Sequence, residues 1–122
     1  MIVCQRPDIL SSMLIKQKFK KLTCAIFDND LIPSIHDDLF KYSIIEEMEL
    51  DPEFWKCSCT SSGWEAEYIE IEYPFNSDLK IYGYLIIDKK NNLIFSERFS
   101  TAPFVFPPAG GTLNLKPKCN FS

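Results

Sequence analysis

The chain has 122 residues, a net charge of −4 and a hydrophobic fraction of 46%, which together predict one soluble domain with its own core. The acidic balance argues against nucleic acid as a partner, because phosphate contacts need a basic face. No stretch approaches the roughly 20 apolar residues of a membrane helix, and the polar start, with Arg6, Pro7 and Asp8, is unlike a signal peptide. We therefore expect no membrane contact.

The first predicted element is a helix that begins at Pro7. Proline suits the first turn of a helix, and Asp8 is favourable near the positive end. Residues 1–6 are expected to be extended, and the helix to end around Lys18. Apolar residues recur at helical spacing along one stripe: Ile9, Leu10, Met13 and Leu14. The four lysines of residues 16–21 are interpreted as a solvated helix end rather than a nucleic-acid patch.

Two further elements are predicted before residue 43. Residues 22–27 alternate between larger and smaller side chains, which is typical of a half-buried strand. A polar turn follows this strand. Ser34 is then a candidate helix N-cap with Asp37 at its third position, which predicts a short second helix over residues 35–42.

A β-bulge or corner is predicted near Tyr68, between the alternating segments 64–68 and 69–73. The apolar residues change parity between Tyr68 and Ile69, and a strand cannot change face without an extra residue or a corner. Residues 74–80 follow as a predicted loop. Four glutamates share the spacing of a solvated strand face rather than of paired catalytic acids: Glu65, Glu67, Glu70 and Glu72.

Residues 81–87 begin the most strongly patterned hairpin of the chain. They are apolar on both faces, which indicates a central strand covered on both sides. Gly83 within it predicts a close backbone approach. The polar turn that follows contains Asn91 and Asn92, either of which takes positive φ at low cost. Three apolar side chains of the return strand are expected on one face: Leu93, Phe95 and Phe99.

Residues 102–108 combine three prolines with three large apolar side chains. The prolines remove hydrogen-bond donors, so the segment is not expected in a sheet interior. It either crosses the mouth of the sandwich or docks on a partner, and deleting residues 103–108 is expected to weaken partner binding more than folding. Residues 112–121 are predicted to form one alternating edge strand interrupted by Pro117. The predicted partner-contact residues are Phe104, Val105, Phe106, Pro107 and Pro108.

The residue types that carry chemistry show no arrangement typical of a site. The cysteines are Cys4, Cys24, Cys57, Cys59 and Cys119. Their irregular spacing favours reduced thiols over disulfides or a zinc site. His36 has no nucleophile at a readable spacing, and Asp28 and Asp30 are followed by apolar residues rather than by the ligands of a calcium loop. We therefore predict no catalytic residue, metal, cofactor or enzymatic activity.

These patterns predict a mainly β protein: a small antiparallel β-sandwich with one N-terminal helix and a short second helix. Residues 1–122 are expected to form a single domain. Within it, residues 1–20 form the N-terminal segment and helix, and residues 21–122 form the sandwich.

From about Lys21 to its end, the chain resembles small virion proteins of tailed bacteriophages. The end of those chains typically contains YGYxxTDxxGxLLxAERF, a proline-containing link and GDTLxxTPxLxLS. The matching segments here are Ile81-Tyr-Gly-Tyr-Leu-Ile-Ile-Asp, Leu93-Ile-Phe-Ser-Glu-Arg-Phe and Gly110-Gly-Thr-Leu-Asn-Leu-Lys-Pro. Residues 22–33 are similar to the LxLFxNxxTP segment of those proteins, and Trp64 stands where they have a mid-chain tryptophan. Gly111 replaces a usual Asp and Asn92 a usual Gly, which changes turn chemistry only.

The resemblance implies a non-enzymatic structural role on a virion, as a capsid decoration (cement) protein or a tail or fibre accessory protein. We expect a protein made in the host cytoplasm that binds and stabilises the phage capsid shell through the major capsid protein or another virion protein. A homo-oligomer is expected, and the three-fold axes of icosahedral shells suggest a trimer. Two alternatives stay open: a tail, neck or fibre-attachment component, and a carbohydrate-binding sandwich. Sugar-stacking candidates would be Trp55, Trp64, Tyr82 and Tyr84.

Overall fold

The computed structural model describes residues 2–16, 18–76 and 78–121, and these residues are mainly β. Strands account for 48% and helices for 13%. One α-helix, α1, spans Pro7–Ile15, and isolated 3-10 helices span Leu39–Lys41 and Pro52–Phe54. The predicted fold class, a small antiparallel β-sandwich with an N-terminal helix, is confirmed. The predictions that include Met1, Gln17, Ser77 or Ser122 are tested only on neighbouring residues, because these four lie outside the described ranges.

Twelve strands in the described ranges form four sheets. In chain order they are β1 (Ile2–Cys4), β2 (Thr23–Phe27), β3 (Ile44–Glu49), β4 (Trp55–Thr60), β5 (Gly63–Tyr68), β6 (Ile71–Phe75), β7 (Leu79–Ile81), β8 (Gly83–Ile87), β9 (Leu93–Arg98), β10 (Phe104–Phe106), β11 (Gly111–Leu115) and β12 (Lys118–Phe121). The largest sheet has the order β1-β9-β8-β2-β3, and the others are β12-β5-β4, β11-β6 and β10-β7. Every pair is antiparallel.

The main core lies between α1, one face of the five-stranded sheet and the three smaller sheets. Aromatic side chains connect these layers: the ring centroids of Trp55 in β4 and Phe95 in β9 are 6.3 Å apart. The Tyr73 hydroxyl in β6 donates a 2.6 Å hydrogen bond to the Cys24 carbonyl in β2. Each large apolar side chain buried here stabilises the fold by about 1.5–3 kcal/mol, so the core depends on all four sheets.

A second, smaller core lies on the opposite face of the five-stranded sheet. Residues 28–43, called the β2–β3 loop below, cover this face and contribute Tyr42, whose ring lies 5.0 Å from that of Phe27. The cover explains why β8 is buried at all five positions, which confirms the predicted central strand. Residues 24–27 of β2 are also buried throughout. The prediction of a half-buried strand is therefore wrong, because alternation within one strand does not reveal what covers its second face.

Helix α1 begins at Pro7, as predicted, with Asp8 in its first turn. Leu10 and Met13 are its buried residues, so one stripe packs on the body as the periodicity predicts. The helix ends at Ile15 rather than around Lys18. The extended segment before it is β1, an edge strand of the five-stranded sheet.

The β8–β9 hairpin confirms two predictions about single residues. At Gly83, a Cβ would overlap the Glu97 carbonyl oxygen and lie 2.7 Å from the Phe27 ring, so the close backbone approach is present. In the turn, Asn91 has φ of 62°. The face assignment of β9 is wrong for Leu93, because a register shift in the β8–β9 pairing places it in the second core, opposite Phe95.

The predicted break near Tyr68 is confirmed as a corner between sheets. β5 ends at Tyr68 and pairs with β12, whereas β6 begins at Ile71 and pairs with β11. The C-terminal segment breaks at the matching place, with Pro117 between β11 and β12, and the Tyr68 N–H donates to the Pro117 carbonyl at 2.9 Å. The prediction of one continuous strand over residues 112–121 is wrong, because the segment follows its partner around the corner.

Two further boundaries differ from the sequence prediction. The second helix is only the three-residue 3-10 helix Leu39–Lys41, whose N-cap is Asp38. Ser34 and Asp37 still interact, since the Ser34 N–H donates to the Asp37 carboxylate at 2.7 Å, but they close a turn instead of starting an α-helix. Within residues 74–80, predicted as a loop, β6 extends to Phe75 and β7 begins at Leu79.

Candidate functional site

Residues 102–108, predicted to contact a partner, form a short strand in their middle. This strand, β10, pairs with β7 through all three of its residues. The prolines at positions 103, 107 and 108 permit this pairing because they lie outside the paired residues, and the segment does not enter a sheet interior, as predicted. β10 is nevertheless peripheral, since within the described ranges its sheet contains only β7 and β10.

Phe106 is a core residue, which corrects its assignment to a partner interface. Its side chain is 3% exposed, and its ring centroid lies 4.9 Å from that of Phe75 in β6. The ring occupies space beside Gly111, where a Cβ would lie 3.0 Å from it. Deleting residues 103–108 would remove this packing, so we now expect the deletion to damage the fold as well as any partner contact.

The other predicted contact residues are exposed: Phe104, Val105, Pro107 and Pro108. Val105 is 58% exposed. β7 is the only pairing partner of β10 among the described strands, and a strand edge of this kind can pair with a strand of another chain. These four residues are called the β10 edge below.

The β2–β3 loop exposes three more large apolar side chains, which the sequence did not mark as contacts. They are Ile32, Ile35 and Phe40. Phe40 is 96% exposed, although its neighbours Leu39 and Tyr42 contribute to the second core. Large exposed apolar groups are typical of interaction sites when they occur together. The apolar composition of residues 31–40 was the available signal, but it lacked the periodicity that would separate inward from outward residues.

Hydrogen bonds hold the β2–β3 loop at both ends and in its middle. The Asn29 side chain donates to the Lys41 carbonyl and accepts from the Ser43 N–H, both at 2.9 Å. The Asp37 carboxylate accepts from the Ser34 N–H at 2.7 Å and from the Tyr42 hydroxyl at 3.0 Å. Each such bond stabilises by about 1 kcal/mol. The exposed apolar side chains are therefore carried by an ordered backbone.

A buried polar network fastens the same loop to the sheet. The Tyr42 and Ser96 hydroxyls are 2.9 Å apart, and the Gln5 amide donates to Ser96 at 2.8 Å and to the Ser34 carbonyl at 3.2 Å. Burial, together with the nearby Asp37 carboxylate, raises the pKa of Tyr42. Its hydroxyl therefore stays protonated and keeps its role in the network at neutral pH.

The β2–β3 loop and the β10 edge extend from the same end of the five-stranded sheet. The loop leaves β2 at Phe27, which pairs with Gly83. Gly83 also pairs with Arg98, and Arg98 forms an ion pair with the loop. Ile81, two residues before Gly83, pairs with Phe104 of β10. Together, the loop's three exposed apolar residues and the β10 edge form the candidate contact surface.

The four glutamates considered as catalytic acids are distributed along β5, the corner after it and β6. Glu65 and Glu67 pair with Lys118 and Lys116 at 3.4 and 3.6 Å. Glu70 and Glu72 are exposed. Surface ion pairs of this kind contribute at most about 1 kcal/mol, and their lysine partners come from the adjacent C-terminal segment.

The four aromatic residues considered as a sugar platform do not share one exposed face. Trp55 and Tyr84 are buried in the main core, and Trp55 stacks on Phe19 with ring centroids 5.2 Å apart. Tyr82 is partly buried beneath Arg98, whose guanidinium lies 5.2 Å from the ring centroid. Only Trp64 is classed as exposed among the four.

No cluster of three or more His, Cys, Asp or Glu side chains suited to a metal ion occurs in the described ranges. The five cysteines are free thiols. Burial raises the pKa of Cys24 to about 12, which makes this thiol unreactive at neutral pH.

None of the helices in the described ranges has the length and apolarity to span a bilayer. Comparison of the chain with family models, with curated proteins and with solved structures gives no match.

Proposed function

We propose that this chain is a non-enzymatic virion structural protein that binds and stabilises the capsid shell of a tailed bacteriophage as a decoration protein. The proposal rests on the resemblance of residues 81–99 and 110–117 to such proteins, and on one structural observation. That observation is the ordered, exposed apolar side chains at one end of the sheet, above all Phe40 and Val105.

The chemistry of the candidate contact surface suits a protein partner. Burying side chains such as Phe40 and Val105 gains about 1.5–3 kcal/mol each. Their backbone is already ordered by the hydrogen bonds of Asn29 and Asp37, so less entropy is lost on binding than for a loop that must first fold. A modest contact of this kind is sufficient on a shell, because a homo-oligomer engages several capsid subunits at once.

Copy number in purified particles tests the proposed position in the virion. A decoration protein on a symmetric shell is present in hundreds of copies, whereas a tail, neck or fibre-attachment component follows the low symmetry of those parts. Quantitative gel densitometry against the major capsid protein measures the ratio. We expect a ratio of the order of one copy per few capsid subunits. A handful of copies per particle would overturn the decoration role in favour of the tail or neck, and absence from the particle would overturn both.

A further inference from the structure

A cleft of about 450 Å³ concentrates positive charge on one side of this acidic protein. It lies between α1, the segment after it and the turn of the β8–β9 hairpin. Arg6 and six lysines line it: Lys16, Lys18, Lys20, Lys21, Lys89 and Lys90. The sequence showed only the first four lysines as a group, and the fold adds the other three cations from the chain start and the distant hairpin. This set is called the basic cleft below.

The two carboxylates of the basic cleft are already engaged by their own neighbours. Asp8 forms a two-bond pair with Arg6 at 2.8 and 3.0 Å. Asp88 accepts from the Lys90 N–H and from the backbone and side chain of Asn92, at 2.8–2.9 Å. Asp8 therefore offsets the charge of Arg6, and Asp88 offsets about one lysine charge, so an excess of positive charge remains in the cleft.

Most of the lysines in the basic cleft have no acidic partner in the described ranges. Lys21 pairs with Glu49 at 3.1 Å, and the other five form no ion pair there. Like charges gathered in a cleft repel one another and focus a positive potential that attracts anions. The charge of the cleft is therefore opposite in sign to the net charge of the whole chain, which is −4.

The remaining walls of the basic cleft favour a peptide over a nucleic acid. Ile9 of α1, which is partly exposed, gives the cleft an apolar part beside the buried Met13. Single-stranded nucleic acids are held by aromatic stacking as well as charge, and no aromatic side chain lines this cleft. A cleft of this volume is in the range that holds small ligands or short segments. We infer that the basic cleft binds an acidic segment of a protein that also carries apolar side chains.

Fluorescence anisotropy of the purified full chain tests this inference independently of any virion role. The probe is a labelled peptide, Glu-Glu-Leu-Glu-Glu-Leu-Glu-Glu, and the comparison ligands are the same peptide with serine in place of leucine and an oligothymidylate of equal charge. We expect the leucine peptide to bind more tightly than both. We also expect its affinity to fall with rising sodium chloride.

Charge-reversal variants locate the binding. Lys89→Glu with Lys90→Glu should weaken peptide binding by about tenfold or more, since close charge pairs are replaced by repulsion. Lys56→Glu with Lys80→Glu makes the same change of net charge at exposed strand positions outside the cleft and should leave binding unchanged. Circular dichroism checks that both variants fold. Equal or tighter binding of oligothymidylate, equal effects of the two double variants, or no peptide binding would each overturn the inference.

A second inference comes from two cysteines at opposite ends of the chain. Cys4 lies in β1 and Cys119 in β12; these strands contact each other, Cys119 belongs to the main core, and Cys4 packs against that core. The interaction between the two thiols lowers the pKa of Cys4 and raises that of Cys119, so Cys4 is the thiolate that attacks a disulfide first. The sequence placed all five cysteines together as reduced thiols and did not reveal this pair.

We propose that Cys4 and Cys119 form a disulfide when the protein meets oxidised glutathione. The Cys4 thiolate attacks glutathione disulfide, breaks its S–S bond and releases one reduced glutathione. Cys4 in the mixed disulfide is uncharged and no longer raises the pKa of Cys119 as a thiolate, so the Cys119 thiol gives its proton to the released glutathione thiolate. The Cys119 sulfur then attacks the Cys4 sulfur of the mixed disulfide and releases the second glutathione. Two thiols are thereby oxidised, one glutathione disulfide is reduced, and the bond encloses nearly the whole chain.

Intact-mass measurement and peptide mapping after incubation with oxidised glutathione test the thiol pair. We expect a loss of two hydrogen atoms, a cross-linked peptide containing Cys4 and Cys119, and a higher Tm than for the reduced protein, because a long loop is closed. Cys59→Ser, which removes an exposed thiol, should still form the bond, and Cys4→Ser should not. Arrest at the glutathione adduct of Cys4, or a bond that uses Cys57 or Cys59, would overturn the proposal.

Discussion

The β8–β9 hairpin and the β2–β3 loop pack against each other in the second core, yet they differ in how much of their apolar side chains they expose. Every residue of β8 is buried. The loop instead divides its side chains, so that Tyr42 is buried and Phe40, two residues earlier, is almost fully exposed. β10 repeats this division on a smaller scale, with Phe106 buried and Val105 exposed.

Buried residues that stabilise the fold and exposed apolar residues therefore alternate within single short segments. The exposed side chains belong to an ordered backbone, because the polar groups of Asn29, Asp37 and Tyr42 hold the loop on the sheet. Substitutions of neighbouring residues should therefore have sharply different effects on unfolding.

The largest expected effect separates the two residues of β10. Phe106→Ala should reduce the free energy of unfolding by about 3–5 kcal/mol, because it leaves a cavity beside Phe75 in the main core. Val105→Ser, its matched control on the exposed side, should change the same quantity by about 0.5 kcal/mol or less. Urea titration measures both. Similar losses for the two variants would contradict the assignment of inward and outward residues.

A smaller effect is expected at the close approach inside the hairpin. Gly83→Ala should destabilise by roughly 3 kcal/mol, since the added methyl group overlaps the Glu97 carbonyl and presses on the Phe27 ring. Gly111→Ala is the control, because there the methyl group would lie 3.0–3.1 Å from the Phe106 ring and overlap no backbone atom, so a smaller loss is expected. An equal or larger loss at Gly111 would show that the hairpin tolerates the change.

The smallest change in the free energy of unfolding is expected when a hydrogen bond that attaches the β2–β3 loop to the sheet is removed. Tyr42→Phe removes the hydroxyl that contacts Asp37 and Ser96 and should cost about 1 kcal/mol, while the ring packing on Phe27 is retained. Hydrogen exchange should become faster in residues 34–42 and stay unchanged in β8. Uniform acceleration across both regions would mean that the loop is not a separate unit.

The strongly periodic parts of the fold were predictable from sequence because, for each of them, the residues of a single segment determine the structure. The buried hairpin strand, the corner near Tyr68, the close approach at Gly83 and the positive φ at Asn91 all follow from local pattern or turn chemistry. The second core did not, since burial of both faces of β2 depends on a distant loop that lacks periodicity. The break between β11 and β12 at Pro117 was not predictable either, because it depends on the corner between β5 and β6, with which these strands pair.

The candidate contact surface was only partly predictable. The proline and phenylalanine content of residues 103–108 indicated an unusual segment, but Phe106 fills a space made by Phe75 and Gly111, which no local pattern shows. Exposure of Phe40 depends on the polar network that fixes the loop. The basic cleft could not be derived either, because its lysines come from separate parts of the chain.

Binding of variants to purified capsid shells that lack the chain tests the central claim most directly. The claim is that the β2–β3 loop and the β10 edge hold the partner. The double variant Phe40→Ser with Val105→Ser should fold and lose at least about tenfold in affinity, consistent with two apolar contacts at a desolvated interface. Ile15→Ser changes an apolar residue on α1 whose exposure, 81%, lies between those of Val105 and Phe40, and this variant should bind like the unaltered chain. Undiminished binding of the folded double variant would contradict the account.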